Sequence, residues 1–79
     1  MKVTVNYFAV LRESAGVRQE VVETNATTAE ELYLELKARH GFPLGPELVR
    51  VAGGTAYLDS DVPLTDGMDL TFIPPVAGG

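Results

Sequence analysis

The stretch NATTAEELYLELKARHG (residues 25–41) predicts the main helix of the fold. Thr27 and Thr28 each precede a glutamate by three residues, which is the spacing of a capping box at a helix start. Gly41, with a proline two residues later, favours the end of the helix at that point. Between these signals, apolar residues recur at helical intervals and would line one face: Ala29, Leu32, Tyr33 and Leu36. The stretch therefore predicts an amphipathic helix that needs a surface to cover.

Two strands are predicted before this helix. KVTVNY (residues 2–7) alternates apolar and polar side chains, which is typical of a strand with one buried face. VRQEVVET (residues 17–24) is rich in valine and also favours a strand. The residues between them break the alternation, and Ser14, Ala15 and Gly16 predict a turn. We expect the two strands to form an antiparallel hairpin.

Further strand patterns follow the helix. VRVA (residues 49–52) and TAYL (residues 55–58) predict two short strands. Gly53 and Gly54 lie between them and predict a two-residue hairpin turn. MDLTFI (residues 68–73) predicts a last strand whose residues alternate between two faces.

In chain order, these elements predict an α+β protein with the β-grasp, or ubiquitin-like, arrangement. A hairpin, a long helix across it and a returning last strand would form a mixed sheet of four to five strands, with one main helix packed on one face. The other face has no long helix to cover it and is left to water or to a partner. One domain is expected for 79 residues, and we place it at residues 1–73.

The composition excludes several classes of active site. Cysteine is absent, which excludes disulfides, thiolate metal sites and a cysteine nucleophile within this chain, and the single histidine, His40, argues against a histidine metal cluster or a serine–histidine–aspartate triad. Four aspartates do not have the spacing of a calcium-binding loop: Asp59, Asp61, Asp66 and Asp69. We therefore predict no metal site, and we assign His40 only a favourable position at the helix end.

Charge and hydropathy limit the partners. The net charge of −5 argues against binding to nucleic acid phosphates. It favours a partner with basic patches or serves only solubility, and the sequence leaves both open. No apolar run approaches the roughly 20 residues that cross a bilayer, and the first residues lack a signal-peptide pattern. We predict no membrane association and a cytoplasmic location.

Three apolar residues fall out of phase with the predicted core. Phe8, Tyr57 and Ile73 each neighbour a residue that we assign to the core. Because neighbouring strand residues point to opposite faces, we place all three on the face without the helix. Isolated surface hydrophobic residues are common, but three together, two of them aromatic, favour a docking patch for another protein.

The last residues, FIPPVAGG (72–79), predict a flexible tail at residues 74–79 that projects from the domain. Its two prolines supply no N–H donors and favour an extended backbone, so strand pairing is expected to stop there. The tip consists of glycine, which carries no Cβ and fits a narrow tunnel. Ahead of the terminal glycine, the residues expected to insert into a partner are Pro74, Pro75, Val76, Ala77 and Gly78.

The reactive group of such a tail is the α-carboxylate of Gly79. A carboxylate is a poor electrophile and needs activation, most simply as an acyl-adenylate formed with ATP. The chain has no phosphate-binding loop of the GxxxxGK[ST] type. We therefore expect a partner enzyme to use the ATP and this chain to bind no cofactor. The alternative is a frayed end without function, which would not require two consecutive prolines.

Three motifs carry a family resemblance: YFAVLRESAG (residues 7–16), PLTDG (63–67) and the terminal FIPPVAGG (72–79). Together they resemble the small subunit of molybdopterin synthase, a ubiquitin-like sulfur carrier of molybdenum cofactor biosynthesis. The resemblance implies that a ubiquitin-activating-like enzyme adenylates Gly79 and that a sulfur donor protein is needed to convert it to a thiocarboxylate. The tail would then insert into the large subunit, which holds the catalytic residues in a heterotetramer. There Gly79 would donate sulfur to a cyclic pterin precursor.

The resemblance also assigns partner contacts. Family interface positions fall at Phe8, Tyr57 and Ile73, the three out-of-phase residues. Arg12 matches a position that pairs with an acid of a partner, and the alternative is a solvated loop charge. The chain departs from many relatives at Met68, where they carry an acid, and in one hairpin turn, where glycine replaces asparagine. The first change removes a charge that can influence the choice of partner.

Three alternative functions stay open. A sulfur carrier of this type can serve another acceptor, in thiamine, cysteine or tRNA thiolation chemistry, although thiamine carriers tend to be shorter and to lack the FIPP segment. A ubiquitin-like protein modifier would be joined through Gly79 to lysines of target proteins. A noncovalent interaction domain would use only the patch of Phe8, Tyr57 and Ile73.

Overall fold

The structure is a computed structural model that describes residues 1–76. Over these residues, five strands, two α-helices and one 3₁₀ turn follow one another: β1 (Lys2–Tyr7), α1 (Ala9–Ala15), β2 (Gln19–Glu23), α2 (Ala29–His40), the 3₁₀ turn (Pro46–Leu48), β3 (Arg50–Gly53), β4 (Ala56–Leu58) and β5 (Asp69–Ile73). Neither helix of the described part combines the length and the apolar character needed to span a bilayer.

The five strands form one mixed sheet in the order β2-β1-β5-β3-β4. β1 and β5 are parallel, and the other neighbouring pairs are antiparallel. The last strand in the sequence, β5, therefore lies at the centre of the sheet. With α2 packed on one face, this confirms the predicted α+β, β-grasp fold.

The core lies between the sheet and α2. Alternate residues of the two central strands are at most 1% exposed: Val3, Val5, Tyr7, Leu70 and Phe72. They belong to the same buried cluster as the predicted helix stripe of Ala29, Leu32, Tyr33 and Leu36. Burial of a large apolar side chain contributes roughly 1.5–3 kcal/mol, so packing rather than intrinsic helix propensity holds α2 in place.

Of the two predicted capping boxes, the second one caps α2. Thr28 is the N-cap, and its hydroxyl accepts a 3.2 Å hydrogen bond from the backbone N–H of Glu31. The carboxylate of Glu31 accepts 2.8 Å bonds from the backbone N–H and from the hydroxyl of Thr27. These bonds, chiefly the backbone one, hold the pKa of Glu31 below its ordinary value of 4.5. Gly41 ends the helix with φ 73°, as predicted.

The predicted turn at residues 14–16 is wrong, because α1 occupies most of the connection between β1 and β2. Gly16 is the C-cap of this helix, with φ 79° and a 2.9 Å bond from its N–H to the carbonyl of Arg12. A helix of 7 residues spans only about two turns, which is too short for a 3.6-residue period to be recognised. The fully buried Leu11 fastens α1 to the core.

The turn between β3 and β4 lies one residue later than predicted. Gly53 pairs with Ala56, so the turn residues are Gly54 and Thr55. Gly54 has φ 62°, a conformation that glycine adopts without strain. Gly53 remains in the strand, where a Cβ would lie 2.8 Å from Cδ1 of Leu58. The two glycines therefore serve different purposes, one in the turn and one in packing.

Candidate functional site

The tail leaves the sheet from its central strand. β5 ends at Ile73, where it lies between the end of β1 and the beginning of β3: Phe72 pairs with Tyr7, and Ile73 pairs with Arg50. Pro74 follows directly and has no N–H donor, and the strand ends there as predicted. A chain that leaves from the middle of a sheet has neighbouring strands on both sides of its base.

Exposure changes sharply over the first tail residues. Pro74 is buried and Pro75 is exposed, and Val76 is 86% exposed. Pro74 is therefore packed with the domain, and the exposed part of the tail begins at Pro75. The predicted tail residues Ala77, Gly78 and Gly79 lie outside the described residues.

An apolar groove of about 700 Å³, which we call the tail groove, runs along the base of the tail. Among the lining residues within 1–76, Glu13 is the one that carries a charge: Phe8, Ala9, Val10, Glu13, Leu44, Ile73, Pro74, Pro75 and Val76. The groove brings the first strand–helix junction and the last strand together at one surface. A partner that packs against the apolar tail groove would therefore also contact the base of the tail.

Phe8 lies at the junction between β1 and α1, beside the tail. It is the N-cap of α1 and is 52% exposed. Ala9 has φ 50°, and among residues 1–76 it is the one non-glycine residue with a positive φ. A left-handed conformation costs a residue with a Cβ roughly 1–2 kcal/mol. The strained Ala9 backbone directs the chain from the strand into the helix and so fixes the position of Phe8.

Tyr57 and Ile73 lie on the sheet face opposite α2. Tyr57 is 66% exposed and Ile73 is half-buried, and both line one shallow depression together with Ala52. Ile73 also lines the tail groove and so connects the two surfaces. The fold thus brings the three predicted patch residues into one band, which we call the apolar band: Phe8, Ile73 and Tyr57. Phe8 follows the end of β1 as the N-cap of α1 and does not lie on the sheet face, where the sequence pattern placed it.

Arg12 lies on the exposed surface of α1, close to Phe8. It shares a depression with Phe8 and with Arg18, a residue that the sequence pattern did not single out. Within residues 1–76, neither arginine forms an ion pair. The two guanidinium groups therefore place positive charge beside the apolar band of a chain whose net charge is −5.

Arg50 is another residue of this surface that the sequence analysis missed. Its guanidinium carbon lies 5.3 Å from the centroid of the Tyr57 ring, which is a cation–π distance. Its strand partner is Ile73. A signal was present in the sequence, since Arg50 precedes the core residue Val51 and so points to the same face as the other band residues.

The structure also gives the positions of two other residues that the sequence pattern singled out, His40 and Met68. Nε2 of His40 lies 2.7 Å from Oε2 of Glu20, so the histidine joins the end of α2 to β2. Met68 packs partly against the core just before β5, at the end of the sheet opposite the tail. Among residues 1–76, no group of three or more histidine, aspartate or glutamate residues has an arrangement that could hold a metal ion.

A β-grasp domain whose tail leaves the central strand beside an exposed apolar band defines the class of ubiquitin-like proteins. Comparison with known proteins gives the family within it. Residues 5–79 match the ThiS family. The molybdopterin synthase sulfur carrier subunit of Escherichia coli (strain K12) is 32% identical over 80 residues, which cover 98% of this chain and 99% of that protein. The chain belongs to the ThiS family and is a sulfur carrier of that type.

Solved structures support this assignment. A putative molybdopterin converting factor, subunit 1, from Pyrococcus furiosus is 30% identical, with a TM-score of 0.75 over 96% of this chain and 99% of its own. A chain in the complex of subunits 1 and 2 of the molybdopterin-converting factor from Helicobacter pylori 26695 is 26% identical, with a TM-score of 0.67 and full coverage of both chains. A chain in the BexX/CysO complex of Amycolatopsis orientalis is also 26% identical, with a TM-score of 0.67 over 98% of this chain and 99% of its own.

Proposed function

We propose that the chain is the sulfur carrier and small subunit of a molybdopterin synthase. The observation that carries the proposal is the position of the tail, which leaves the central strand at Pro74 inside the band of Phe8, Ile73 and Tyr57. A partner that covers this band receives the tail at the same time. The 32% identity to the Escherichia coli sulfur carrier subunit supports the role. The Helicobacter pylori complex of subunits 1 and 2 supports a large subunit as the partner.

The proposed chemistry takes place at the carboxylate of Gly79 in two steps. A carboxylate oxygen attacks the α-phosphorus of ATP on a ubiquitin-activating-like enzyme, and pyrophosphate leaves. A sulfide equivalent, delivered by a sulfur donor protein, then attacks the acyl carbon. The C–S bond forms, the C–O bond to AMP breaks, and the product is a thiocarboxylate. On the large subunit, the sulfur bonds to a cyclic pterin precursor, water attacks the acyl carbon, the C–S bond to Gly79 breaks, and the carboxylate of Gly79 forms again.

In this proposal the chain contributes binding and positioning, and its partners contribute catalysis. The chain binds no cofactor itself, and ATP is a substrate of the activating enzyme. The apolar band docks the domain, Pro74 packs the base of the tail against it, and the tail is exposed from Pro75 onward. The glycine tip then places the acyl carbon in a tunnel that a side chain would block.

The first experiment measures the intact mass of the untagged chain after incubation with an activating enzyme of this class, ATP and a sulfide source. We expect a mass gain that corresponds to replacement of one oxygen by sulfur. A variant without Gly79 serves as the negative control and should not gain the same mass. The loaded chain is then mixed with a molybdopterin synthase large subunit and the cyclic precursor, and dithiolene formation is measured. Loading without dithiolene formation would contradict the proposed acceptor and leave the carrier chemistry intact.

A second candidate keeps the carrier chemistry and changes the acceptor. The likeness to a chain of the BexX/CysO complex favours it, because that neighbour is as similar as the Helicobacter pylori one. The same loaded chain tests this candidate when it is offered to acceptor enzymes of other sulfur-incorporating pathways.

A modifier role predicts instead that Gly79 becomes joined to lysines of target proteins. A shift of the chain to higher mass in denaturing gels detects such conjugates.

A further inference from the structure

We infer that Arg50 and Tyr57 form a recognition element for a carboxylate group on the protein that receives the tail. This inference rests on the proposed function, since it concerns the surface around the tail of a docked carrier. It adds a polar, directional contact to the apolar band and specifies the chemistry of the partner at one point.

The two residues lie beside the exit of the tail. Arg50 begins β3 and pairs with Ile73, the last strand residue before Pro74. Tyr57 lies on the neighbouring strand β4, where it pairs with Ala52. A partner that covers Ile73 and Tyr57 must therefore also cover Arg50.

The tyrosine ring orders the guanidinium group. The Arg50 carbon lies 5.3 Å from the ring centroid, and both residues are exposed. Stacking on an aromatic face restricts the long arginine side chain before a partner arrives, which lowers the entropy lost on binding. Arginine and tyrosine are also enriched among the residues that dominate binding energy at protein interfaces.

The N–H donors of the Arg50 guanidinium group are not used by contacts within the described part of the chain. Within residues 1–76 it forms no ion pair and donates no side-chain hydrogen bond. Asp59 lines the same depression as Arg50 and Tyr57 but does not come within ion-pair distance of the arginine. A planar guanidinium with free N–H groups matches a carboxylate, which accepts two parallel hydrogen bonds.

The charge of the surroundings favours a carboxylate on the partner over other ligands. Arg50 is a cation set among apolar band residues, so covering it without an opposite charge would leave a desolvated and unpaired ion. We therefore expect the partner to place an aspartate or a glutamate over Arg50. Away from Arg50 and from the pair Arg12 and Arg18, acidic residues of the partner's surface would be repelled by a chain of net charge −5.

The test compares Arg50→Gln with Arg39→Gln, which removes the same charge from α2. Arg39 is exposed and pairs only with Glu35 of its own helix among the described residues. Affinity for a molybdopterin synthase large subunit is measured by calorimetry at low and at high salt. We expect Arg50→Gln to weaken binding about tenfold at low salt and to reduce the salt dependence, while Arg39→Gln leaves both unchanged.

Two further variants test the geometry. Arg50→Lys keeps the charge but loses the fork of donors, and Tyr57→Ala removes the ring that orders it; each should weaken binding. The thermal unfolding of all variants is measured, and because both side chains are exposed we expect no loss of the fold. Equal affinities for the wild type and Arg50→Gln, or equal losses for Arg50→Gln and Arg39→Gln, would overturn the inference. If the wild type itself does not bind, the proposed function fails instead.

Discussion

The hydroxyl of Tyr7 donates a 2.5 Å hydrogen bond to Oε2 of Glu20, the oxygen that also lies 2.7 Å from Nε2 of His40. The bond joins β1 to β2, and the contact of His40 with the same oxygen connects the end of α2 to these strands. Tyr7 is 1% exposed and lies opposite Phe72, next to the base of the tail. Burial, followed by the bond to Glu20 and its charge, raises the pKa of Tyr7 far above the ordinary value. The network thus holds the sheet and the main helix together beneath the candidate site.

Replacing Tyr7 with phenylalanine should lower stability at neutral pH and make it less sensitive to alkali. The lost hydrogen bond costs about 1 kcal/mol. Because the folded pKa of Tyr7 is raised, the neutral phenol contributes fully below its unfolded pKa of about 10, and the contribution is lost as pH rises above that value. Urea unfolding between neutral pH and pH 11 measures both effects. The exposed Tyr57→Phe is the control, and equal pH slopes for the wild type and Tyr7→Phe would contradict the prediction.

Glu31→Gln should destabilise the protein at neutral pH and have less effect in acid. The folded pKa of Glu31 is lowered by its bonds from Thr27, so its charged form stabilises the fold above the unfolded pKa. That contribution is lost as pH falls through the folded pKa. Glu30→Gln removes a charge from the same first turn but no side-chain hydrogen bond of the described residues, and it controls for the helix dipole. Unfolding temperatures across the acid range give the measurement, and equal losses for the two variants at all pH values would refute the role of the cap.

Ala9→Gly should raise the free energy of unfolding by up to about 1 kcal/mol, because glycine adopts the φ of 50° at this position without a Cβ penalty. Ala38→Gly is the matched control on the exposed side of α2, where the same change should lower stability by about 1 kcal/mol. The opposite signs distinguish strain at residue 9 from a general effect of glycine. Denaturant unfolding of the two variants decides the matter, and a loss of stability in both would mean that Ala9 is not strained.

The parts of the fold that rest on long residue patterns could be predicted from this sequence. The stripe of α2 and the alternation in β1 and β5 fixed the faces that meet in the core, and hence the β-grasp fold. Short elements could not be predicted in the same way. α1 has only 7 residues, and the position of the β3–β4 turn depends on whether Gly53 or Gly54 adopts the positive φ. In the observed register, Gly53 leaves no room for a Cβ beside Leu58, and such a contact is not visible in a local pattern.

In the candidate site, too, some residues could be predicted from the local pattern and others depend on tertiary contacts. Phase within the strands identified Tyr57 and Ile73, because it depends only on neighbouring residues; it also marked Phe8 as exposed, although Phe8 lies after the end of β1. Arg50 joins them through its pairing with Ile73 across the sheet and through its stacking on Tyr57, and both are tertiary contacts. Ala9 escaped notice because alanine gives no sequence signal for a left-handed backbone.

Phe8→Ser should weaken binding to a molybdopterin synthase large subunit by at least about 1 kcal/mol, roughly fivefold, without unfolding the domain. Phe8 is 52% exposed and lines the tail groove, so its ring is available to a partner and contributes little to the core. Val21→Ser is the control, because Val21 is 65% exposed on β2, the edge strand farthest from β4. Calorimetric titration of the three proteins, with thermal unfolding as a check on folding, measures the difference. An equal affinity loss for the two variants would show that binding depends on general surface hydrophobicity and not on the apolar band.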